Sequence, residues 1–283
     1  MKPMLSYLVC ATPRSGSTLL CHELDRTGLA GHPQEYFEAL RRSGLPRRPH
    51  EYFDPERHPN IVERLAFREM LEDAPTPNPL WHPDTYDQYL EWALGEGTTA
   101  NGVFGAKLMW GYLGDFAELL RGIDGMGERP LPELLARAFP GLRYVQITRR
   151  DKVRQAVSLW KAVQTQAWQR EAGTSEGREG RMPEPVFSFR AINYLMRQLT
   201  AHDASWDAFF LGLGYEPLKV TYEELAESTD GVVRSVLEFL GIAAPEDLQI
   251  GAPRLSVQAD EVSEAWVARV LEHLEALEAP EPV

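Results

Sequence analysis

The feature that most narrows what this chain can fold into sits at its start. The apolar run Tyr7 to Ala11 passes directly into Ala11-Thr12-Pro13-Arg14-Ser15-Gly16-Ser17-Thr18-Leu19-Leu20, and helical spacing continues to about Arg26. A buried strand, a tight turn of small residues and a helix N-terminus in immediate succession aim backbone N–H groups and the positive end of a helix dipole at one point. That point suits an anion. A plain Ser-rich helix cap is the other reading of the same letters.

The strand-then-helix alternation recurs. Strand-like runs at Gly102 to Leu108, Arg143 to Thr148 and Pro217 to Val220 are each followed by helical spacing, which predicts an α/β fold, a P-loop-like and mostly parallel sheet flanked by helices. After the third strand Val153, Ala156, Val157, Trp160 and Val163 share one helix face, and later Ile192, Leu195, Met196 and Leu199 share another. Both faces are expected to point into a core. We read residues 1–283 as a single domain with two variable loops. The stretch near 41–60 carries four prolines and several arginines, and that near 171–185 is rich in Gly, Glu and Arg. Each reads either as a lid over a site or as a solvated loop.

Charge sharpens the search. Lys and Arg number 29 against 42 Asp and Glu, a net charge of −13, which argues against nonspecific nucleic-acid or anionic-membrane binding and makes local basic clusters stand out. Four of the six residues from Arg149 to Arg154 are basic, immediately after the third strand, and Ser158 lies two helical turns beyond Arg150. A fixed negative ligand is one reading; a solvated helix start paired with Asp151 is the other. Two anion sites at the ends of parallel strands describe a nucleotide phosphorylated at two places, such as a 3′,5′-bisphosphate.

Other chemistries fit less well. Against the nucleotide-triphosphatase pattern G-x-x-x-x-G-K-[ST], the first Gly is Ala11 and the Lys is Ser17, while a cation stands earlier at Arg14. No C-x-x-C or H-E-x-x-H occurs, so no metal is expected. Cys10 and Cys21 lie in apolar surroundings and read as buried thiols of a reducing compartment. The run Met4 to Ala11 is too short and too interrupted by Ser6 for a secretory signal, and no apolar stretch of ~18 residues occurs, so a cytoplasmic protein without a membrane span is expected.

The ordered set of motifs resembles a known family. PRSGST after a strand is similar to the 5′-phosphosulfate loop of sulfotransferases, with Arg14 at its cation position, and Arg150 to Ser158 is similar to their 3′-phosphate motif. Thr27 to Phe37, Val103 to Trp110, Gln155 to Trp160 and Gln258-Ala259-Asp260 resemble the Stf0 sulfotransferases, and the likeness runs through most of the chain. The resemblance implies an enzyme that moves a sulfuryl group from 3′-phosphoadenosine 5′-phosphosulfate (PAPS) to a carbohydrate hydroxyl, of trehalose or a related sugar or glycolipid, without a metal and as a homodimer. It implies that Arg14, Ser15, Gly16, Ser17 and Thr18 hold the 5′ end of the donor, Arg150 and Ser158 its 3′-phosphate, and that Tyr222, in the segment Tyr222-Glu223-Glu224-Leu225, lies near adenine; a core or capping aromatic is the alternative for Tyr222.

Two departures bear on mechanism. Many sulfotransferases read K-x-H on the strand that here reads Lys107-Leu108-Met109, and methionine takes no proton. The resemblance assigns the base to Glu35, in Pro33-Gln34-Glu35, with His32 and Glu38 as nearby rivals and Lys107 and Arg14 as electrostatic partners of the transfer. The other departure is Ser256-Val257, where relatives often carry a basic residue before QAD. Gln34, Glu35, Tyr36 and Trp168 are candidate acceptor ligands, since sugars are bound by amides, carboxylates and aromatic faces; Trp168 reads equally as a core residue. The rivals to this reading are a P-loop small-molecule kinase and a noncatalytic nucleotide-binding relative.

Overall fold

In a computed structural model, which describes residues 2–70, 75–168, 184–245, 248, 250 and 261–278, four parallel strands form one sheet. They are β1 (Leu5–Ala11), β2 (Val103–Met109), β3 (Arg143–Thr148) and β4 (Leu218–Thr221), in the order β2-β1-β3-β4. Each of the four expected strands is present, with bounds within two residues of the expected ones. The helices are α1 (Ser17–Arg26), α2 (Pro59–Glu69), α3 (Tyr86–Glu96), α4 (Trp110–Arg121), α5 (Leu131–Ala138), α6 (Lys152–Thr165), α7 (Phe189–Leu213), α8 (Tyr222–Glu227), α9 (Thr229–Phe239) and α10 (Glu261–Glu278). None of the described helices is long and apolar enough to cross a membrane.

The chain packs into two compact units. The first is assembled from Met1–Arg47, Asp73–Thr148 and His202–Ala252, the second from Arg48–Glu72, Arg149–Ala201 and Pro253–Val283. The first holds the sheet. β1, β2 and the middle of β3 are buried on both faces, as parallel strands covered by helices are, whereas β4 is partly exposed, and the side chains sort by the two-residue period of a strand. Leu8 and Cys10 join a cluster with α3, α4, α5 and the C-terminal half of α7, whereas Tyr7, Val9 and Ala11 join one with α1, α8 and α9. Lys107 stands opposite Val9 in the β1–β2 register, and is therefore turned toward the α1 side. β1 and β3 are neighbours whose following segments lead to strands on opposite flanks, β2 and β4, so a topological switch point lies beyond Ala11 and Thr148.

The second unit has its own core. Trp160 of α6, Leu65 of α2, Ile192 and Leu195 of α7, and Trp266 and Val270 of α10 are buried together. The face expected from Ala156, Val157, Trp160 and Val163 is the buried one, with Val153 packed at its edge.

The stretch near 41–60 is not a wholly solvated loop. Arg47, in the first unit, donates to the Gly111 carbonyl at 2.8 Å, and its backbone N–H donates to the Tyr112 hydroxyl at 2.8 Å. In the second unit Tyr52 and Phe53 are core residues, and buried Glu69 accepts from the His50 backbone N–H at 2.8 Å and pairs with Arg48 Nε at 3.0 Å. Aromatic burial and a buried carboxylate tie this stretch down. Of the stretch near 171–185, residues up to 183 lie outside the described residues.

Candidate active site

The turn after β1 is built from two backbone conformations that side chains rarely adopt. Arg14 has φ 64° and Gly16 φ 88°, and a non-glycine residue in that region costs about 1–2 kcal/mol, which surrounding structure must impose. Alternation of this kind turns successive N–H groups into one concavity, an anion nest. Gly16 is the N-cap of α1, and no side chain caps the helix, so the Ser-rich cap reading fails. The first-turn N–H groups and the helix dipole face the nest uncapped.

Two further observations fit a phosphate or sulfate there. Ser15 is fully buried, and its Oγ finds no hydrogen-bond partner among the described residues; a buried hydroxyl without a partner is uncommon because leaving it so costs about 1–3 kcal/mol. Gly16 is also a cradle: a Cβ on it would come within 2.7 Å of Tyr222 Cδ2. Tyr222 therefore lies against the loop rather than in the core. Behind the loop Thr12 Oγ1 donates to buried Asp203 at 3.0 Å, and Trp206 Nε1 donates to the Ala11 carbonyl at 3.1 Å, which fixes the end of β1 to α7.

A second cluster forms on β2, which is an edge strand. Its free edge is covered by the chain leaving α1: Gln34 bridges Ala106, and the Lys107 N–H donates to the Gln34 carbonyl at 2.9 Å. Gly31, at φ 68°, permits this approach, since a Cβ there would run into the Gly105 backbone. The result carries Glu35 to Lys107, with which it forms an ion pair. Lys107 is 5% exposed and also donates to Thr18 Oγ1 at 2.8 Å. One buried cation thus links the helix of the anion nest to the candidate base.

Glu38 follows Glu35 by three residues and bears on its electrostatics. Burial alone would raise the Glu35 pKa, but the Lys107 charge and the hydrogen bonds from Glu38 and Lys107 outweigh it and hold Glu35 below its ordinary value. Burial, the hydrogen bond to Glu35 and the Glu35 charge push Glu38 up to about 9. His32 is taken by Asp25, its Nδ1 2.5 Å from Oδ1.

A model of the family described as Stf0 sulphotransferase matches residues 6–273. The chain belongs to the Stf0 sulfotransferase family. Its relatives include the trehalose 2-sulfotransferases of Mycobacterium tuberculosis, 34% identical over 278 residues, and of Mycolicibacterium smegmatis, 35% identical over 276; each alignment covers 93% of both chains. A solved sulfotransferase from Alicyclobacillus acidocaldarius aligns over 98% of this chain and 96% of that one at 16% identity with a TM-score of 0.47, a loose likeness that adds nothing to the assignment.

This Stf0 enzyme places its other sequence-derived candidates unevenly. Gln34 is exposed beside Glu35. Tyr36 is buried among Phe37, Trp92 and Phe104, and its hydroxyl donates to the His32 carbonyl at 2.9 Å, so little of its ring is open to a sugar. Trp168 belongs to the second unit, where it stacks on Tyr52 at 5.9 Å between ring centroids. Arg150 and Ser158 are in that unit too, Arg150 exposed just before the N-cap Asp151 and Ser158 half-buried on α6. The basic cluster is partly neutralised from within, because Arg154 pairs with Asp151 at 3.0 Å and with Glu264. Ser256, Val257 and Gln258-Ala259-Asp260 lie outside the described residues. Thr18, read only as a backbone donor, proves to be the acceptor for Lys107 at the second position of α1, a long-range contact with no signal in the local sequence.

Proposed function

We propose that this Stf0 sulfotransferase takes its sulfuryl group from PAPS and delivers it to a carbohydrate hydroxyl, with trehalose or a close relative as acceptor. The observation that carries the reading is the continuous set of the nest at Arg14 to Gly16, Thr18, Lys107 and Glu35. Support for the acceptor comes from the two relatives, both trehalose 2-sulfotransferases by name.

When bound, the donor supplies an electrophilic sulfur and a phosphate leaving group. The backbone N–H groups of Ser15 to Thr18, the Ser15 hydroxyl and Arg14 hold its 5′ end, with the ring of Tyr222 bordering Gly16 toward the adenosine. Charge builds on those oxygens during transfer, and donors fixed in advance stabilise it without reorganisation. Lys107 stands between Thr18 and Glu35, where it serves the transferring group and neutralises the base. Glu35 accepts the proton of the attacking hydroxyl; a positioned base contributes about 10²–10⁴-fold. Arg150 and Ser158 hold the 3′-phosphate. Gln34 orients the sugar. A homodimer in the cytoplasm is the setting that goes with this reading.

Incubation of the protein with PAPS and a sugar and glycolipid panel that includes trehalose, followed by mass spectrometry, is expected to show a sulfuryl mass gain. Glu35→Gln is expected to cut turnover by about 10²-fold or more while binding of the 3′,5′-bisphosphate, followed by calorimetry, is retained. Unchanged turnover removes Glu35 from the mechanism. Greater thermal stabilisation by ADP with Mg²⁺ than by the bisphosphate favours a kinase, and bisphosphate binding without any transfer favours a noncatalytic relative.

A further inference from the structure

Arg14 holds a left-handed backbone, φ 64°, which a non-glycine residue keeps where its surroundings impose it. Two residues of α7, in the part of that helix that belongs to the first unit, grip the segment just before it. Asp203 accepts from the Thr12 hydroxyl at 3.0 Å, and the Trp206 indole N–H donates to the Ala11 carbonyl at 3.1 Å. Asp203 and Trp206 are three positions apart and so share one helix face, and all four residues are buried. The Thr12 carbonyl in turn receives the Ser15 N–H at 3.3 Å, closing the turn over Pro13 and Arg14. A displacement of Thr12 therefore reaches the nest within one hydrogen-bonded turn. Trp206 also meets Trp110 edge-on, with centroids 5.0 Å apart, and lies nearly parallel to Phe210 at 5.7 Å. Trp110 opens α4 directly after β2, three residues beyond Lys107. One helix face thus bears on the ends of both strands, the one that leads into the nest and the one that carries the ammonium. A buried carboxylate is a poor means of packing a helix on a sheet, since an apolar side chain does that without a desolvation cost. Its hydrogen bond to Thr12 instead fixes a position.

We propose that Asp203 and Trp206 are positioning residues for the donor site: from α7 they set where the nest at Arg14 to Gly16 stands, and so where the leaving phosphate lies relative to Lys107. The proposal rests on the reading of the nest as the site of the 5′ end of PAPS. Both residues act through Thr12 and Ala11 rather than on the donor itself. Charge develops on the leaving oxygens during transfer, and donors fixed in advance stabilise it only from the right place; a shift of about 1 Å costs on the order of 10²-fold in rate. Loosening the brace is therefore felt in kcat and in the KM for PAPS. The KM for the sugar is not affected, because its proposed ligands Gln34 and Glu35 stand on the chain that leaves α1 and pairs with β2.

The test uses the full chain, with kinetics on PAPS and the sugar that the panel identifies, and calorimetry with the 3′,5′-bisphosphate, all well below each variant's melting temperature. Thr12→Val keeps the shape of the side chain and removes the hydroxyl, whereas Thr12→Ser keeps the hydroxyl. Thr12→Val is expected to lower kcat by about tenfold or more, to weaken the bisphosphate by a similar factor and to leave the KM for the sugar within about twofold. Thr12→Ser is expected to restore most of the loss. Trp206→Phe, which keeps a ring and loses the N–H, is expected to move the same parameters in the same direction. Because Thr12 and Asp203 form one bond, adding Asp203→Ala to Thr12→Val is expected to cost less than the product of the two single effects. A brace that served stability alone would lower the melting temperature and leave the kinetics and affinity of the folded protein unchanged. The proposal is overturned by that result, by a KM for the sugar that rises as much as that for PAPS, or by a Thr12→Ser variant as slow as Thr12→Val. Gly16→Ala, measured alongside, separates the two readings. Wild-type bisphosphate affinity in Gly16→Ala strikes the nest as the donor site and the proposal with it, whereas weakened affinity there with wild-type behaviour in Thr12→Val strikes the positioning role alone.

Discussion

At the scale of single residues the site is an exercise in charge placement. Lys107 is buried on a sheet edge and requires a counter-charge, Glu35 supplies it, and burial and the nearby Glu35 push the Glu38 carboxyl well above its ordinary value. The sign of the consequence for stability follows from which state binds the proton. Glu38 has its pKa raised from 4.5 to about 9 by burial and by Glu35, so between those values the folded protein holds a proton that the unfolded chain releases. Stability drawn from this group therefore falls as pH rises across that window and is level outside it. Glu38→Gln removes the dependence. Its melting temperature relative to the wild type is expected to rise steadily from about pH 5 to about pH 9, by thermal melts at constant salt; a constant difference means that Glu38 is ionised throughout. Little of this was legible beforehand. Glu38 was visible only as a rival to Glu35, because what joins the two carboxyls to Lys107 is the pairing of Gln34 with Ala106, a long-range contact with no local signature.

At the scale of elements, legibility followed locality. The loop between β1 and α1 could be read because strand, turn and helix are adjacent, and small residues at a turn have few conformations open to them. The stretch near 41–60 hid its core residues because it has neither the helical nor the strand period: Tyr52 and Phe53 enter a core from a 3-10 turn, where hydrophobic spacing gives no warning. The nest makes its own prediction. Gly16→Ala forces a side chain into φ 88° and brings a Cβ within 2.7 Å of the Tyr222 ring, so a loss of about 1–3 kcal/mol of stability and a marked fall in bisphosphate affinity are expected. Gly28→Ala is the control, with φ 64° but open space around it. It is expected to cost stability through backbone strain alone, about 1 kcal/mol, and to leave affinity intact. Denaturant melts and calorimetry on both variants separate strain from site damage, and equal affinities for Gly16→Ala and the wild type dismiss the nest as the anion site.

At the scale of the whole molecule, the chain interleaves two units, passing from one to the other five times, among them at Arg47/Arg48 and at Thr148/Arg149. Neither point carries a Gly- or Ser-rich linker, so no linker marks a boundary between units. What the sequence did mark, against a net charge of −13, is the run of cations that begins the second unit at Arg149. The structure divides that run by role. Arg154 is committed to Asp151 and Glu264, and Lys152 donates to Gln155 Oε1 at 2.9 Å and to the Arg149 carbonyl, which makes both of them parts of the helix start. Arg150 is exposed and precedes the N-cap, so it is the cation on which the 3′-phosphate reading turns. If it holds the 3′-phosphate, its removal must be felt only by nucleotides that carry one. Arg150→Ala is expected to weaken binding of the 3′,5′-bisphosphate by about 10–100-fold, the worth of a charge-assisted hydrogen bond. Binding of adenosine 5′-phosphate is expected to change by no more than about twofold, since a general loss of positive field is screened at ordinary salt. Calorimetry with both ligands at one ionic strength makes the comparison. An equal fall for the two assigns Arg150 to the general field of the protein and leaves the 3′-phosphate without its proposed ligand, whereas a fall confined to the bisphosphate ties this acidic chain's donor preference to one arginine.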